Sequence, residues 1–234
     1  MRDGQGTVLD FARQRSLMIE QQIRPNAVTD RRLLAAMGEV PREMFVPSAR
    51  RLLAYSDEAL EVLPALDGAP ARYLLAPMVL AKLLQLAAVE ATDAVLDIGC
   101  ATGYSTALLA ALSGCVIGLE SEPTLAAIAA DNLAALGIGN AEIVFADLAA
   151  GFHEGAPYDV IFLNGSVPDE PANLTAQLKE GGRLVGVIAA GSAGARQGKA
   201  YLLVKVDGEM SGLPHFDAGA PPLPGFALAP RFVF

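Results

Sequence analysis

From about Ala76 the sequence alternates short, nearly unbroken apolar runs with helix-spaced segments, and this alternation restricts the fold more than any other feature. DAVLDIG is strand-like and STALLAALSG helix-like, and CVIGLES leads into the helix-like PTLAAIAADNLAALG. AEIVFADL and YDVIFLNG read as further strands, DEPANLTAQLKEGG as a helix and GRLVGVIAAG as a strand. Strands without polar alternation belong to a sheet whose two faces are both covered. The pattern predicts an α/β chain with a doubly wound, mostly parallel sheet. PMVLAKLLQLAAV precedes it as a helix, with Pro77 suited to the first turn.

The end of the sheet differs. Only GSAGARQG separates the strand near 183–190 from AYLLVKV, too short for a parallel crossover, so that pairing is expected to be antiparallel. Asp207-Gly208 is a hairpin turn into EMSGLPHF, and the proline-rich APPLPGFALAP is expected to wrap the surface. At the other end, residues 7–23 and 30–40 have helical spacing, with Thr29 or Asp30 as N-cap of the second. VPREMFVPSARRLLAYSDEALEVLPALDGAPARY reads as loops and short helices. The expected organisation is an N-terminal helical cap over 1–75 and a ligand-binding domain over 76–234, packed as one globular unit.

Charge and composition exclude several classes. Residues 1–51 carry nine Lys/Arg against six Asp/Glu, whereas the remainder carries eight against twenty. An acidic body argues against nucleic acid, which requires cationic surface for phosphates. No run approaches the ~18 apolar residues of a membrane span, and MRDGQGTVLDFARQRS has no apolar core of a secretory signal. Two cysteines, Cys100 and Cys115, are too few for a disulfide framework, so a reducing, cytoplasmic setting is expected.

VLDIGCATGY, residues 95–104, places a glycine turn at the end of the first strand, where backbone N–H groups and a helix N-terminus face a ligand. The dinucleotide fingerprint Gly-x-Gly-x-x-Gly is poorly met, because its positions read Gly99, Ala101 and Tyr104. Acidic-x-Gly-x-x-x-Gly is met by Asp97, Gly99 and Gly103. A strand-end carboxylate suits a ligand with an ammonium group, as S-adenosylmethionine has. Glu120 ends the next strand, where a carboxylate can accept both ribose hydroxyls. Asp147 ends the third, placed to accept from an adenine amino group while Leu148 flanks the ring.

The chain resembles the protein-L-isoaspartate O-methyltransferase family over most of its length. MIEQQIRP, VTDRRLLAAMGEVPREMFVP, AYSDEAL, VLDIGCATGYS, YDVIFLNGSV and QLKEGGRLVGV match in order. The resemblance implies a Rossmann-like class I methyltransferase sheet with an antiparallel C-terminal hairpin and an N-terminal helical cap. S-adenosylmethionine is the implied cofactor. Candidate cofactor residues are Asp97, Gly99, Cys100, Ala101, Gly103, Glu120, Ser121, Asp147, Leu148 and Asn164. The acceptor side departs from the family. Its Thr/Ile-Ser-x-Pro-His-like motif reads RYLLAPMVL, with Leu75 at the serine position, Pro77 retained and Met78 at the histidine position. The later Thr/Gly-Ala-Ala segment reads Asn164-Gly165-Ser166.

A carboxylate acceptor, on a protein, a peptide or a small molecule, is ionised at neutral pH with a reference pKa of ~4 and needs no general base. That accords with a chain whose only histidines are His153 and His215, both in loop-like segments. No zinc-ligand spacing is present, and Ser192 lacks the glycine two residues earlier that a nucleophile elbow requires. Cys100 reads as a small apolar side chain inside the turn. The Leu74, Leu75, Met78 and Val79 cluster fits core and acceptor pocket equally. Two other readings stand beside the methyltransferase. One is a cofactor-binding homologue with lost or redirected catalysis, acting as a sensor or partner. The other is a nicotinamide oxidoreductase, against which Asp97 and Tyr104 argue.

Overall fold

The computed structural model describes residues 10–66, 68–189 and 197–226. Ser192, most of the link before the penultimate strand and the end of the proline-rich tail lie outside the described residues.

The chain opens with α1 (Phe11–Met18), whose N-cap Asp10 accepts from the Arg13 N–H at 2.9 Å. The helix widens into a π-turn over Ile19–Ile23 and buries Met18, Ile19 and Ile23. In α2 (Arg31–Glu39) Asp30 is the cap, accepting from the Arg32 and Leu33 N–H groups. Its buried Leu33, Leu34, Ala36 and Met37 follow helical spacing, so one stripe faces the core. The segment read as loops and short helices also holds an antiparallel hairpin, β1 (Leu60–Leu63) and β2 (Arg72–Leu74). Two strands of four and three residues among prolines leave too little alternation to detect. Then α3 (Pro77–Ala87) starts with Pro77, which has no N–H to leave unpaired there.

The parallel part of the sheet follows as β3 (Ala94–Ile98), α4 (Tyr104–Leu112), β4 (Cys115–Glu120), α5 (Pro123–Ala135), β5 (Ala141–Phe145) and β6 (Tyr158–Val167). The short α6 (Ala172–Thr175) leads to β7 (Leu178–Ile188), and β8 (Gln197–Val206) and β9 (Glu209–Gly219) complete the sheet. The spatial order is β5-β4-β3-β6-β7-β8-β9. The first five strands are parallel, and β8 and β9 are antiparallel to their neighbours, as the short link and the turn predicted. Asp207 and Gly208 both have positive φ, the geometry of a two-residue hairpin turn.

The helix expected over DEPANLTAQLKEGG shrinks to four residues. Gln177 is buried and ends it. Its Oε1 accepts from the Phe152 N–H and its Nε2 donates to the Ala150 carbonyl, while its own carbonyl accepts from the Tyr158 N–H. Leu178 is thereby held opposite Tyr158 and begins β7.

Two apolar layers flank the sheet. Val95, Val160, Phe162 and Val187 pack with α3, α4 and the buried residues of the N-terminal helices. Leu96, Ile98, Ile161 and Leu184 pack with Leu148, Leu174 and Leu223 on the opposite face. Among the described residues no helix is long and apolar enough to cross a membrane.

Candidate cofactor crevice

Strand order reverses between β3 and β6, and sheets of this kind bind ligands outside the carboxyl ends of the strands at such a switch. Asp97 lies at the penultimate position of β3, Glu120 closes β4, and Asp147 follows β5 by two residues. These three strands are adjacent. Asn164 lies on β6, across the switch point.

The turn between β3 and α4 requires its glycines. Gly99 has φ +75°, and a Cβ there would come within 2.6 Å of Leu223 and 3.3 Å of the Arg72 guanidinium. Gly103 has φ +93° and lets α4 approach Ala129 of α5 to distances a Cβ would close to 3.2 Å. Cys100 and Ala101 are buried inside the turn, and burial pushes the Cys100 thiol well above its ordinary range. Cys100 is therefore a packing group rather than a nucleophile.

Asp97 is turned inward. One carboxylate oxygen accepts from Ser105 Oγ at 2.8 Å and Thr106 Oγ1 at 2.7 Å, and the other from Asn164 Nδ2. Burial pushes its carboxyl up to about 6, with the three hydrogen bonds opposing the shift and the charge of Glu120 adding to it. The folded value lies above the unfolded value of ~3.9. Between those values the folded chain holds a proton that the unfolded chain has released, so this contribution to stability falls as pH rises. Relative to Asp97→Asn, the wild-type chain should lose about 2–3 kcal/mol between pH 4 and pH 7. Denaturant unfolding of both chains at the two pH values measures this, and a constant difference contradicts it.

Glu120 is also fully buried, and among the described residues it accepts five hydrogen bonds from four residues. The Arg72 guanidinium bridges both oxygens, with Nη2–Oε2 at 2.8 Å, and the N–H groups of Ala101, Ser121 and Glu122 donate at 2.8, 2.8 and 3.0 Å. Arg72 comes from β2, 48 residues away, and is itself buried.

Asp147 is exposed, and one of its oxygens accepts from the Ala149 and Ala150 N–H groups. It lines a cavity of about 350 Å³ with Ser121, Phe145, Leu148 and Pro224. Phe145 is exposed, and Leu148 forms a buried floor. The proline-rich tail was expected to wrap the surface, but residues 220–226 insert at this end of the sheet. Leu223 bonds to the Ser166 carbonyl, Ser166 bonds to Pro221, and Leu223 is buried over the glycine turn.

On the acceptor side, Leu75 is buried in the core and Pro77 is buried at the start of α3. Met78 is partly buried, and its N–H donates to Asp57 at 3.1 Å. The Leu75 carbonyl accepts from Arg42 Nη2 at 2.8 Å, while Arg42 Nε donates to Ala54 at 2.8 Å. The Arg42 guanidinium lies 4.8 Å from the ring centroid of buried Tyr104. Thr102 donates to the Phe45 carbonyl at 2.6 Å. The PREMFVP block thus ties the glycine turn to the acceptor segment. His153 and His215 are exposed.

Sequence reasoning did not single out Arg72, Arg42, Ser105, Thr106 or Leu223. Arg72 was visible as a lone cation before an apolar run, but nothing in the linear order names its partner.

Residues 13–210 match the model of the Protein-L-isoaspartate(D-aspartate) O-methyltransferase family. The chain belongs to this family. Protein-L-isoaspartate O-methyltransferase 2 of Anaeromyxobacter sp. (strain Fw109-5) is 40% identical over 172 residues, 74% of this chain and 68% of that protein. The protein-L-isoaspartate O-methyltransferase of Methanoculleus marisnigri is 36% identical over 203 residues, covering 86% and 87%. A solved protein-L-isoaspartate O-methyltransferase superposes with a TM-score of 0.77 at 27% identity, over 92% of this chain and 66% of the other. A Plasmodium falciparum protein assigned to the same activity, solved with S-adenosyl-L-homocysteine, superposes at 0.72 with 20% identity, covering 88% and 96%. That second likeness concerns the fold. Membership bears out the resemblance and the methyltransferase class.

Proposed function

We propose that the chain is an S-adenosylmethionine-dependent methyltransferase that esterifies a carboxylate on a protein, a peptide or a small molecule. The observation that carries this reading is the row of carboxylates Asp97, Glu120 and Asp147 at three adjacent strand ends, in a chain of this methyltransferase family.

The donor set fits the cofactor at its adenine end. Asp147 has an oxygen free of the turn it caps, beside an apolar cavity walled by Phe145 and Leu148. Glu120 is the ribose candidate, and Ser121, next to it, lines the same cavity. Cys100, Ala101, Gly103 and Asn164 shape the turn, and Asp97 fixes that turn by bonding α4 and β6 to β3.

When bound, S-adenosylmethionine supplies an electrophilic methyl group on a sulfonium. The chain has to align an acceptor in line with that group and keep water out, and alignment supplies much of the acceleration in such displacements. An ionised carboxylate acceptor needs no proton removed. Leu75, Pro77 and Met78 shape the acceptor side and replace the family's hydroxyl-bearing wall with an apolar one.

The chemistry of the product tests this. Methyl label transferred from S-adenosylmethionine to acceptors in a cell extract depleted of this protein should be released by mild alkali as methanol, the behaviour of a carboxyl ester. Label that survives alkali would place the methyl on a group other than a carboxylate and overturn the carboxylate reading.

A further inference from the structure

The Glu120 carboxylate has no room for a ribose in the structure described. A carboxylate offers about four lone-pair directions, yet Glu120 receives two bonds from Arg72 and three from backbone N–H groups. The three N–H donors belong to the turn and to the start of the β4–α5 connection, so they are fixed by the fold. Arg72 is the partner that can leave.

We propose that Arg72 is an internal competitor for the ribose site, a latch that holds Glu120 until a nucleoside displaces it. The inference rests on the assignment of this crevice to S-adenosylmethionine. The latch spans two parts of the chain, because Arg72 stands on β2 of the small N-terminal hairpin and Glu120 on the central sheet. Its guanidinium also covers Gly99, together with Leu223 from the C-terminal segment. The methionine side of the crevice and the ribose carboxylate are therefore closed by the same side chain.

The released guanidinium has a destination. Arg72 lines a second cavity of about 390 Å³, beside the first, with Leu63, Leu66, Pro70 and Glu122 on its walls. The Glu122 carboxylate accepts the Thr124 N–H at 3.3 Å and is partly exposed, so it can take a cation. Ser121 and Pro224 line both cavities, which makes the two spaces neighbours. Cofactor binding then moves Arg72 between two acidic partners rather than leaving a charge buried and unpaired.

Calorimetric titration of S-adenosyl-L-homocysteine into the wild-type chain and Arg72→Met tests the latch. The variant should bind at least about tenfold more tightly, although its ligand-free chain melts at a lower temperature. A merely structural arginine would weaken both. Equal or weaker binding by Arg72→Met overturns the latch and leaves the cofactor assignment standing. Absence of binding by both chains overturns the assignment and the latch with it. A second measurement uses the wild-type chain alone and does not depend on the variant folding. The Arg72 guanidinium protons should exchange slowly with water in the free chain and faster once S-adenosyl-L-homocysteine is added. Exchange unchanged by saturating ligand contradicts the proposal.

Discussion

Glu120→Ala is expected to lower the unfolding free energy of the ligand-free chain by about 3–5 kcal/mol, the cost of breaking a buried ion pair by removing one partner. The substitution takes the counter-charge from Arg72, which is buried, and the acceptor from three backbone N–H groups. Removing Arg72 together with Glu120 should cost less than the sum of the single changes, because an apolar pair of similar volume is often tolerated where half of an ion pair is not. Urea unfolding of Arg72→Met, Glu120→Leu and Arg72→Met/Glu120→Leu measures the coupling. It must be done without ligand, which would add its own binding free energy to the folded state. A loss below about 1 kcal/mol in Glu120→Ala, the range of an exposed pair, would show that the bond between β2 and β4 is not what the geometry implies.

Catalytic efficiency toward an isoaspartyl peptide is expected to fall about two to four decades below that of a family member that keeps the serine, at tenfold per ~1.4 kcal/mol. Leu75 stands at that serine position and Met78 at the histidine position. Polar substrate groups brought against this wall lose water without a replacement partner, at roughly 1–3 kcal/mol for each unsatisfied group. Leu75→Ser should raise the efficiency. It should also destabilise the chain, because Leu75 is packed in the core and truncation of a buried leucine typically costs about 2–5 kcal/mol. Rates must therefore be compared per folded molecule. Steady-state kinetics decide the matter. Wild-type efficiency equal to that of the serine-bearing relative would mean that backbone groups alone hold the substrate, and the altered-acceptor reading would be wrong.

What the linear order revealed and what it hid have physical reasons. The alternation of apolar runs with helical segments was legible because β3, β4 and β6 are mostly buried on both faces and keep their polar residues near the strand ends. The antiparallel end was legible because eight residues cannot build a crossover. The helix expected over 169–182 was not correctable from sequence, because its limit is set by Gln177 bonding Phe152 and Ala150 of a distant loop. At the site, Asp97, Glu120 and Asp147 were legible as strand-end acids, since strand ends can be counted. Their environments were not. Asp97 bonds Ser105, Thr106 and Asn164 instead of facing an open crevice, and Glu120 meets an arginine 48 residues earlier. Such pairs exist only once the chain has folded. The C-terminal segment misled for the same reason. Prolines and glycines signalled a loop, and only packing shows that Leu223 is buried above Gly99.

If the crevice at the ends of β3, β4 and β5 receives S-adenosylmethionine and not a dinucleotide, the two ligands must separate in a direct binding measurement. Isothermal titration of the wild-type chain with S-adenosyl-L-homocysteine and, separately, with NAD tests this assignment most directly. One S-adenosyl-L-homocysteine should bind saturably per chain, weakened by roughly 1–3 kcal/mol in a folded Glu120→Ala variant as ribose hydroxyls lose their partner, and NAD should not bind. Binding of NAD with none of S-adenosyl-L-homocysteine would contradict the assignment.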